Sequence, residues 1–335
     1  MTTKERILEL FESHRGDYFS GEDIARELAL SRAAVWKAVK ALQSDGYAID
    51  AVPNKGYCLS DRNDILSVQG IRKYLQPQWR ELDISVLSAV SSTNGVVREK
   101  AAAGAKEGCL VLANEQTQGR GRMGRSFFSP PGTGIYMSLL LRPQDWSAEQ
   151  AVRITTMAAV AMCDAIDALD ILAEKKAQIK WVNDIFLDGR KVCGILTEGS
   201  YNLENGMLDY AVLGVGLNLY PPENGFPEEL KSIAGSVFQE QKSDAKNRAA
   251  AGFLNRFLGY YSGTSAADHV EAYRKKCLVI GRPVAILSGR ESRNAVVTGI
   301  DDQCRLLVRY ENGEEGICSS GEISLRVDPK GSGQK

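Results

Sequence analysis

The sequence predicts a multidomain α+β protein. A winged helix-turn-helix is expected over residues 1–63, a central α+β domain over 64–272, an SH3-like β-barrel over 273–328 and a disordered tail over 329–335. Three observations predict this division. Near the N-terminus, two short amphipathic stretches lead into a capped third stretch and an alternating hairpin. In the middle of the chain strand-like runs outnumber helical ones and often follow each other directly, which suits a mixed sheet better than regular βαβ winding. Beyond residue 273 the apolar runs are short and alternating.

In the first unit Ile7, Leu8 and Phe11, and then Ile24, Ala25 and Leu28, fall at helical spacing. Ser31 is placed to cap a third helix whose Val35, Val39 and Leu42 form one stripe, and Gly46 ends it. The following "YAIDAVPNKGYCLS" alternates about a Pro-Asn-Lys-Gly turn, as a two-stranded wing does. Ser31, Arg32, Ala33, Trp36, Lys37 and Lys40 of the third helix are the candidate DNA contacts, with Lys55 at the wing tip. Residues 31–60 carry a net charge of +2 and residues 1–30 a net −3. Positive charge is thus gathered where a recognition helix meets phosphates. A protein-binding winged helix with a solvated basic face is the competing reading.

Over the whole chain, 41 Lys and Arg balance 42 Asp and Glu, so any nucleic-acid site must be local. The seven cysteines are scattered and form no C-x-x-C pair. That pattern reads as reduced thiols in a cytoplasmic protein, not a disulfide frame or zinc site. No apolar run approaches the roughly 18 residues that span a bilayer, and no membrane partner is expected.

In the central segment "CLVLANEQ", "GIYMSLLL", "AQIKWVNDIFL", "RKVCGILTEG" and "LDYAVLGVGLNL" read as strands. "AEQAVRITTMAAVAMCDAIDAL" and "DAKNRAAAGFLNRFLGYY" read as helices. In the last segment "PVAIL", "NAVVTGID", "RLLVRY" and "EEGICS" are short strands, with Asn312-Gly313 as a tight hairpin turn.

The stretch with the strongest chemistry is "QGRGRMGRSFFSPPGTG", residues 118–134. Gly119, Gly121 and Gly124 match the dinucleotide pattern G-x-G-x-x-G, which needs a helix directly afterwards. Pro130, Pro131, Gly132 and Gly134 preclude that helix, so the match is accidental. A Walker loop is excluded because the chain has no Gly-Lys dipeptide. Glycines allow close backbone approach to a ligand. Arg120, Arg122 and Arg125 add fixed charge with forked donors. Such a loop suits bringing two anions together.

The loop "GRGRMGR" resembles the glycine-arginine loop of biotin–protein ligases, the biotin–[acetyl-CoA-carboxylase] ligases that also act as biotin-operon repressors. "SSTN" at 91–94, Gln116, "KWVND" at 180–184, "RKVCGIL" at 190–196 and "GVGLN" at 214–218 follow in the family's order. The resemblance covers essentially the whole chain. Three positions depart from the pattern: Val182 stands where proline is usual, Met123 where many members have arginine, and Phe127 where the aromatic is often tryptophan.

The resemblance implies that residues 64–272 form a biotin/lipoate ligase-like catalytic domain. It implies that biotin and ATP, as its Mg²⁺ complex, are substrates, with no permanently bound cofactor. Expected partners are a biotin carboxyl carrier protein or domain, operator DNA and a second copy of the chain. Lys191, Arg122 and Asp184 are the implied catalytic set, Lys191 bridging the biotin carboxylate and the α-phosphate. Asp184 either helps hold Mg²⁺ or receives the acceptor amine's proton. Ser92, Thr93, Asn94, Gln116, Arg120, Gly121, Arg122 and Lys191 would surround biotin. Gly119, Arg120, Arg122, Arg125, Phe127, Asn183 and Asn218 would surround the adenylate. Trp181 packs in the core or lines the pocket, and Cys193 is core. Lipoate ligases share the implied fold, but the arginine-rich loop and the winged helix argue against them. A biotin-sensing repressor without turnover is the third reading, against which Lys191 and the arginines argue.

Overall fold

Thr2 and Glu5 close a reciprocal capping box that starts α1 (Thr3–Ser13). Ser20 caps α2 (Gly21–Glu27), and Ser31 caps α3 (Arg32–Ser44) by accepting from the Ala34 N–H. Val35, Val39 and Leu42 are buried against Ile7, Phe11 and Ile24, as the stripe predicts. Gly46, at φ +94°, turns the chain out of α3. The wing pairs β1 (Ile49–Val52) antiparallel with β2 (Gly56–Leu59), Ile49 opposite Leu59. This computed structural model describes all residues except 145, 170–174, 203, 266–267, 289–290, 320–321 and 326–335. The tail expected at 329–335 lies outside the described residues.

Ser31 at the N-cap of α3, Arg32, Ala33, Trp36, Lys37 and Lys40 within it, and Lys55 in the wing turn all face solvent. Lys55 lies 5.6 Å from the Tyr18 ring centroid. If this face meets phosphates, Lys37→Ala should lower the slope of log affinity against log salt by about 1. An unchanged slope in a fluorescence-anisotropy titration would remove Lys37 from the interface.

The chain then passes through α4 (Val68–Tyr74) into a seven-stranded sheet. Its strands are β3 (Asp83–Leu87), β4 (Cys109–Ala113), β5 (Gly134–Leu141), β6 (Gln178–Lys180), β7 (Asp184–Leu187), β8 (Arg190–Tyr201) and β9 (Leu208–Asn218). The order is β3-β4-β5-β9-β8-β7-β6. The β3–β4 pair is parallel and the other pairs are antiparallel. α5 (Thr93–Ala102) covers one face through Val97 and Ala101, against Val111, Leu140 and Val212. α6 (Ala148–Asp167) and α7 (Ala245–Tyr261) cover the other, where Leu110, Leu112, Leu139 and Leu213 join the main core. All eight residues of β5 are buried, because both faces of the sheet are covered there.

One expectation is corrected here. "AQIKWVNDIFL" is not one strand but the hairpin β6–β7, with Lys180 opposite Asp184. Its turn has no glycine or proline because β8 holds it. The Ile195 N–H donates to Asn183 O at 3.0 Å, and Asn183 Nδ2 donates back to Ile195 O at 2.8 Å.

After α8 (His269–Lys276) come β10 (Pro283–Ser288), β11 (Glu291–Ile300), β12 (Leu306–Tyr310), β13 (Glu315–Cys318) and β14 (Glu322–Leu325). They form an antiparallel sheet in the order β13-β12-β11-β10-β14. Its strand content fits the expected barrel, although among the described residues no ladder joins β13 to β14. The Asn312-Gly313 turn is shifted by one residue. The Gly313 N–H donates to Tyr310 O at 3.0 Å, which puts Glu311 and Asn312 at the centre. Gly313, at φ +84°, follows in the left-handed position. Among the described residues no helix is long and apolar enough to cross a membrane.

Candidate active site

The glycine-arginine segment folds as a small hairpin. Arg120 bridges Ser126, the Phe127 N–H donates to Gly119 O at 2.9 Å, and the Gly121 N–H donates to Arg125 O at 2.7 Å. At the tip the Arg125 N–H donates to Arg122 O at 3.2 Å, and Met123 and Gly124 take φ of 54° and 73°. Two left-handed residues in succession are what a type I′ turn requires, and Gly124 adopts one of them without steric strain. Gly119 is needed for a different reason, since a Cβ there would lie 2.3 Å from Phe127 O. The motif's glycines thus serve hairpin geometry. Arg122 Nη1 donates to Asn183 Oδ1 at 3.1 Å, so the tip leans on the β6–β7 turn.

The Phe127 ring rests on backbone bare of side chains. A Cβ on Gly216 of β9 would lie 2.5 Å from it, and one on Gly194 of β8 would lie 3.1 Å away. The bare glycine backbone lets the aromatic ring lie directly against the sheet, where any side chain would displace it.

At the start of α5 a buried polar network begins. Ser92 is its N-cap, yet its hydroxyl makes no capping bond. The Thr93 N–H and Oγ1 both donate to Gln116 Oε1, at 2.9 and 3.1 Å, and Gln116 Nε2 donates to Ser129 Oγ at 3.1 Å. Asn94 donates to Glu198 Oε2 at 2.6 Å, while Ser138 Oγ lies 2.7 Å from Thr93 Oγ1 and 2.6 Å from Asn94 Oδ1. Network bonds, the one to the Glu198 carboxylate among them, fix the orientation of the amide and hydroxyl groups before any ligand arrives.

Facing this network across the cleft, Lys191 Nζ lies 2.6 Å from Asp184 Oδ1. The Lys191 backbone is clasped by a passing segment. Its N–H donates to Ile233 O at 2.8 Å, and its carbonyl accepts from the Gly235 N–H at 2.9 Å. Asn218 Nδ2 donates to Gly235 O at 3.1 Å and tethers that segment to the end of β9. Trp181 is buried and donates from Nε1 to Cys304 O at 2.9 Å, tying the β6–β7 turn to the C-terminal sheet. Cys193 is fully buried, and burial pushes its thiol well above the ordinary range, in keeping with a core role.

One cleft of about 150 Å³ gathers Ser92, Thr93, Asn94, Gln116, Arg120, Gly121, Arg122, Arg125, Phe127, Asn183, Asp184 and Lys191. Its wall carries Arg120, Arg122, Arg125, Lys180 and Lys191 against the carboxylate of Asp184, an excess of positive charge suited to a polyanion. Gly119 and Asn218, which the sequence also nominates, are not in the wall. The first supports the hairpin and the second supports the segment behind Lys191. The sequence reading missed Ser138 and Glu198, which hold Asn94, the glycines at 194, 214 and 216, and Ile323, which β14 contributes to the wall. Ser138 did leave a signal, as a lone hydroxyl in the middle of an apolar strand.

Comparison with known proteins accounts for the three parts of the chain. Residues 3–58 match an HTH domain, 86–218 the Biotin/lipoate A/B protein ligase family, and 279–326 the biotin protein ligase C-terminal domain. The bifunctional ligase/repressor BirA of Bacillus spizizenii is 39% identical over 326 residues, covering 95% of this chain and 98% of that protein. The chain belongs to the bifunctional ligase/repressor family. Its relative in Escherichia coli is 29% identical, over 94% of this chain and 95% of that one. The solved biotin protein ligase of Aquifex aeolicus, in complex with biotin and ATP, is similar at TM-score 0.60 and 26% identity, over 73% of this chain and 98% of its own. Two of the departures from the family pattern fall where they alter little of the site. Met123 is a solvent-facing residue at the hairpin tip, and Phe127 keeps an aromatic ring over the glycine floor.

Proposed function

We propose that this protein joins biotin to ATP as biotinyl-5′-AMP, releasing pyrophosphate. It then passes the biotinyl group to a lysine of a biotin carboxyl carrier protein or domain. With the adenylate bound it represses biotin genes at an operator. The observation that carries the reading is the cleft itself, whose wall brings five cations and Asp184 together with the hydroxyl and amide groups of Ser92, Thr93, Asn94 and Gln116.

In the first step a biotin carboxylate oxygen attacks the α-phosphorus, and the bond to the pyrophosphate oxygen breaks. Both reactants are anions, so the step needs cations placed before the charges meet. Lys191 bridges carboxylate and α-phosphate, and Arg122 closes from the hairpin tip. Ser92, Thr93, Asn94 and Gln116 receive the polar ring end of biotin, with Arg120 and Gly121 along its length. Phe127, Arg125, Asn183 and, from behind, Gly119 and Asn218 frame the adenylate. In the second step the acceptor amine attacks the anhydride carbonyl and AMP leaves. Asp184 either holds the Mg²⁺ that enters with ATP or takes the amine's proton.

The decisive test is ATP–pyrophosphate exchange. Dependence on biotin supports the reading, dependence on lipoate would replace it with lipoate ligation, and no exchange with tight biotin binding would leave a sensor without turnover. Arg122→Ala should speed loss of biotinyl-AMP by roughly 10- to 150-fold, which corresponds to the about 1.5–3 kcal/mol of one hydrogen bond to a charged group. Slow release in a rapid-dilution assay would show that the hairpin is not the lid.

Repression requires two copies on a palindromic operator, since one winged helix makes few phosphate contacts. A homodimer is supported by β8, which runs on to Tyr201 although β7 pairs only with Arg190–Gly194. Among the described residues no strand pairs with its outer half on that side, which leaves a backbone edge of the kind that pairs with another strand. Biotin with ATP should raise both operator affinity and sedimenting mass, and no change in either would sink the repressor half of the proposal. All seven cysteines are free, which supports the cytoplasm as the compartment.

A further inference from the structure

The winged helix is held to the central domain by buried charges that no step of the ligation uses. Arg15, just past α1, has a side chain only 7% exposed. Its Nε and Nη2 reach the two Glu12 oxygens at 2.7 and 2.8 Å. Nη2 also reaches Asp244 Oδ1 at 2.8 Å, and Nη1 donates to Asn63 O at 2.9 Å. Asp244 precedes α7 in a left-handed conformation, φ 53°. Its Oδ1 also accepts from Asn247 Nδ2 at 2.7 Å, and its Oδ2 accepts from the Tyr74 hydroxyl at 2.6 Å. Asn63 carries the connection to the wing. Its Oδ1 accepts from the Ala48 N–H at 2.7 Å, and its Nδ2 donates to Ala48 O at 2.9 Å.

Apolar contact is non-directional, so burial alone does not select one angle between two packed surfaces. A guanidinium engaged on both edges of its fork fixes an angle as well as a distance. Buried ion pairs add little net stability over apolar packing, and their best attested use is to specify one arrangement among several. Here the arrangement specified is that of the DNA-facing surface relative to the body carrying the dimer edge. We infer that Arg15 and Asp244 are positioning residues for operator recognition. They set the angle at which each copy presents α3 and the wing, and therefore the half-site spacing that a pair of copies accepts. This inference rests on the repressor reading above.

The test uses the full-length protein with biotin and ATP. Half-sites are first selected by the wild-type chain from random DNA, then re-spaced in steps of one base pair. Wild type should favour one spacing by at least about tenfold, because any other must be met by twisting or bending the duplex. Arg15→Met keeps the apolar stem and removes the fork. It should reduce that preference to about twofold or less, with binding to an isolated half-site and pyrophosphate exchange unchanged. Arg15→Lys keeps charge without the fork and should restore little of the preference.

A methionine variant that keeps the wild-type spacing preference would overturn the inference. Loss of isolated half-site binding or of exchange would also overturn it, since Arg15 would then serve only the fold. Wild-type protein that binds operator with no preferred spacing would remove this inference alone. Wild-type protein that binds no operator at all would remove the repressor reading beneath it.

Discussion

Lys191→Ala will lower biotin-dependent pyrophosphate exchange by at least about 10²–10³-fold, the usual loss when one group stabilising transition-state charge is removed. The fold should survive, because the lysine's backbone is held independently of its side chain by Ile233 and Gly235. Its side chain is 28% exposed, so no buried cavity is left behind. Truncation also frees Asp184, whose carboxylate then adds uncompensated negative charge where two anions must meet. Lys191→Arg should recover little, since a planar fork cannot replace a compact point charge between two ligands. Unfolding midpoints near wild type combined with lost exchange would place the effect in the chemistry. Near-normal exchange would remove Lys191 from the mechanism.

Gly214→Ala adds one methyl group and is expected to weaken biotin use by roughly 5- to 150-fold, mainly in KM. The new Cβ would lie 2.2 Å from Asn94 Oδ1, so that side chain must move. It cannot do so freely, because it is bonded to Ser138 and Glu198 at 2.6 Å each. Displacing it leaves buried polar atoms without partners, which costs about 1–3 kcal/mol for each. ATP affinity should change less than biotin affinity, because the side chain displaced is one of the neutral groups assigned to biotin. Unchanged biotin KM in the variant would show that the network is not part of the biotin site.

The parts of the fold that were legible in the sequence are those encoded by local periodicity and caps. The Val35-Val39-Leu42 stripe, the Ser31 cap and the alternating wing each announce themselves within a dozen residues. The β6–β7 hairpin did not, because its turn is made by bonds to Ile195 on another strand. Within the site, Lys191 and the arginines were readable as charges of suggestive spacing. Ser138 and Glu198 were not, since their use depends on a sheet register that sets β5 and β8 either side of β9. The glycines at 194, 214 and 216 read as ordinary strand residues until Phe127 and Asn94 are seen packed against them.

The salt bridge between Arg15 and Asp244 joins residues 229 positions apart. During synthesis the N-terminal unit leaves the ribosome long before its anchor exists. At elongation rates of about 5–20 residues per second, that interval lasts roughly 10 to 45 s. Through it the nascent head domain carries the buried-to-be Glu12 and Arg15 without their third partner, and its bearing on the rest of the chain is unset. A repressor therefore matures only after its own ligase has been translated, and fragments released early carry a DNA-facing helix with no fixed aim.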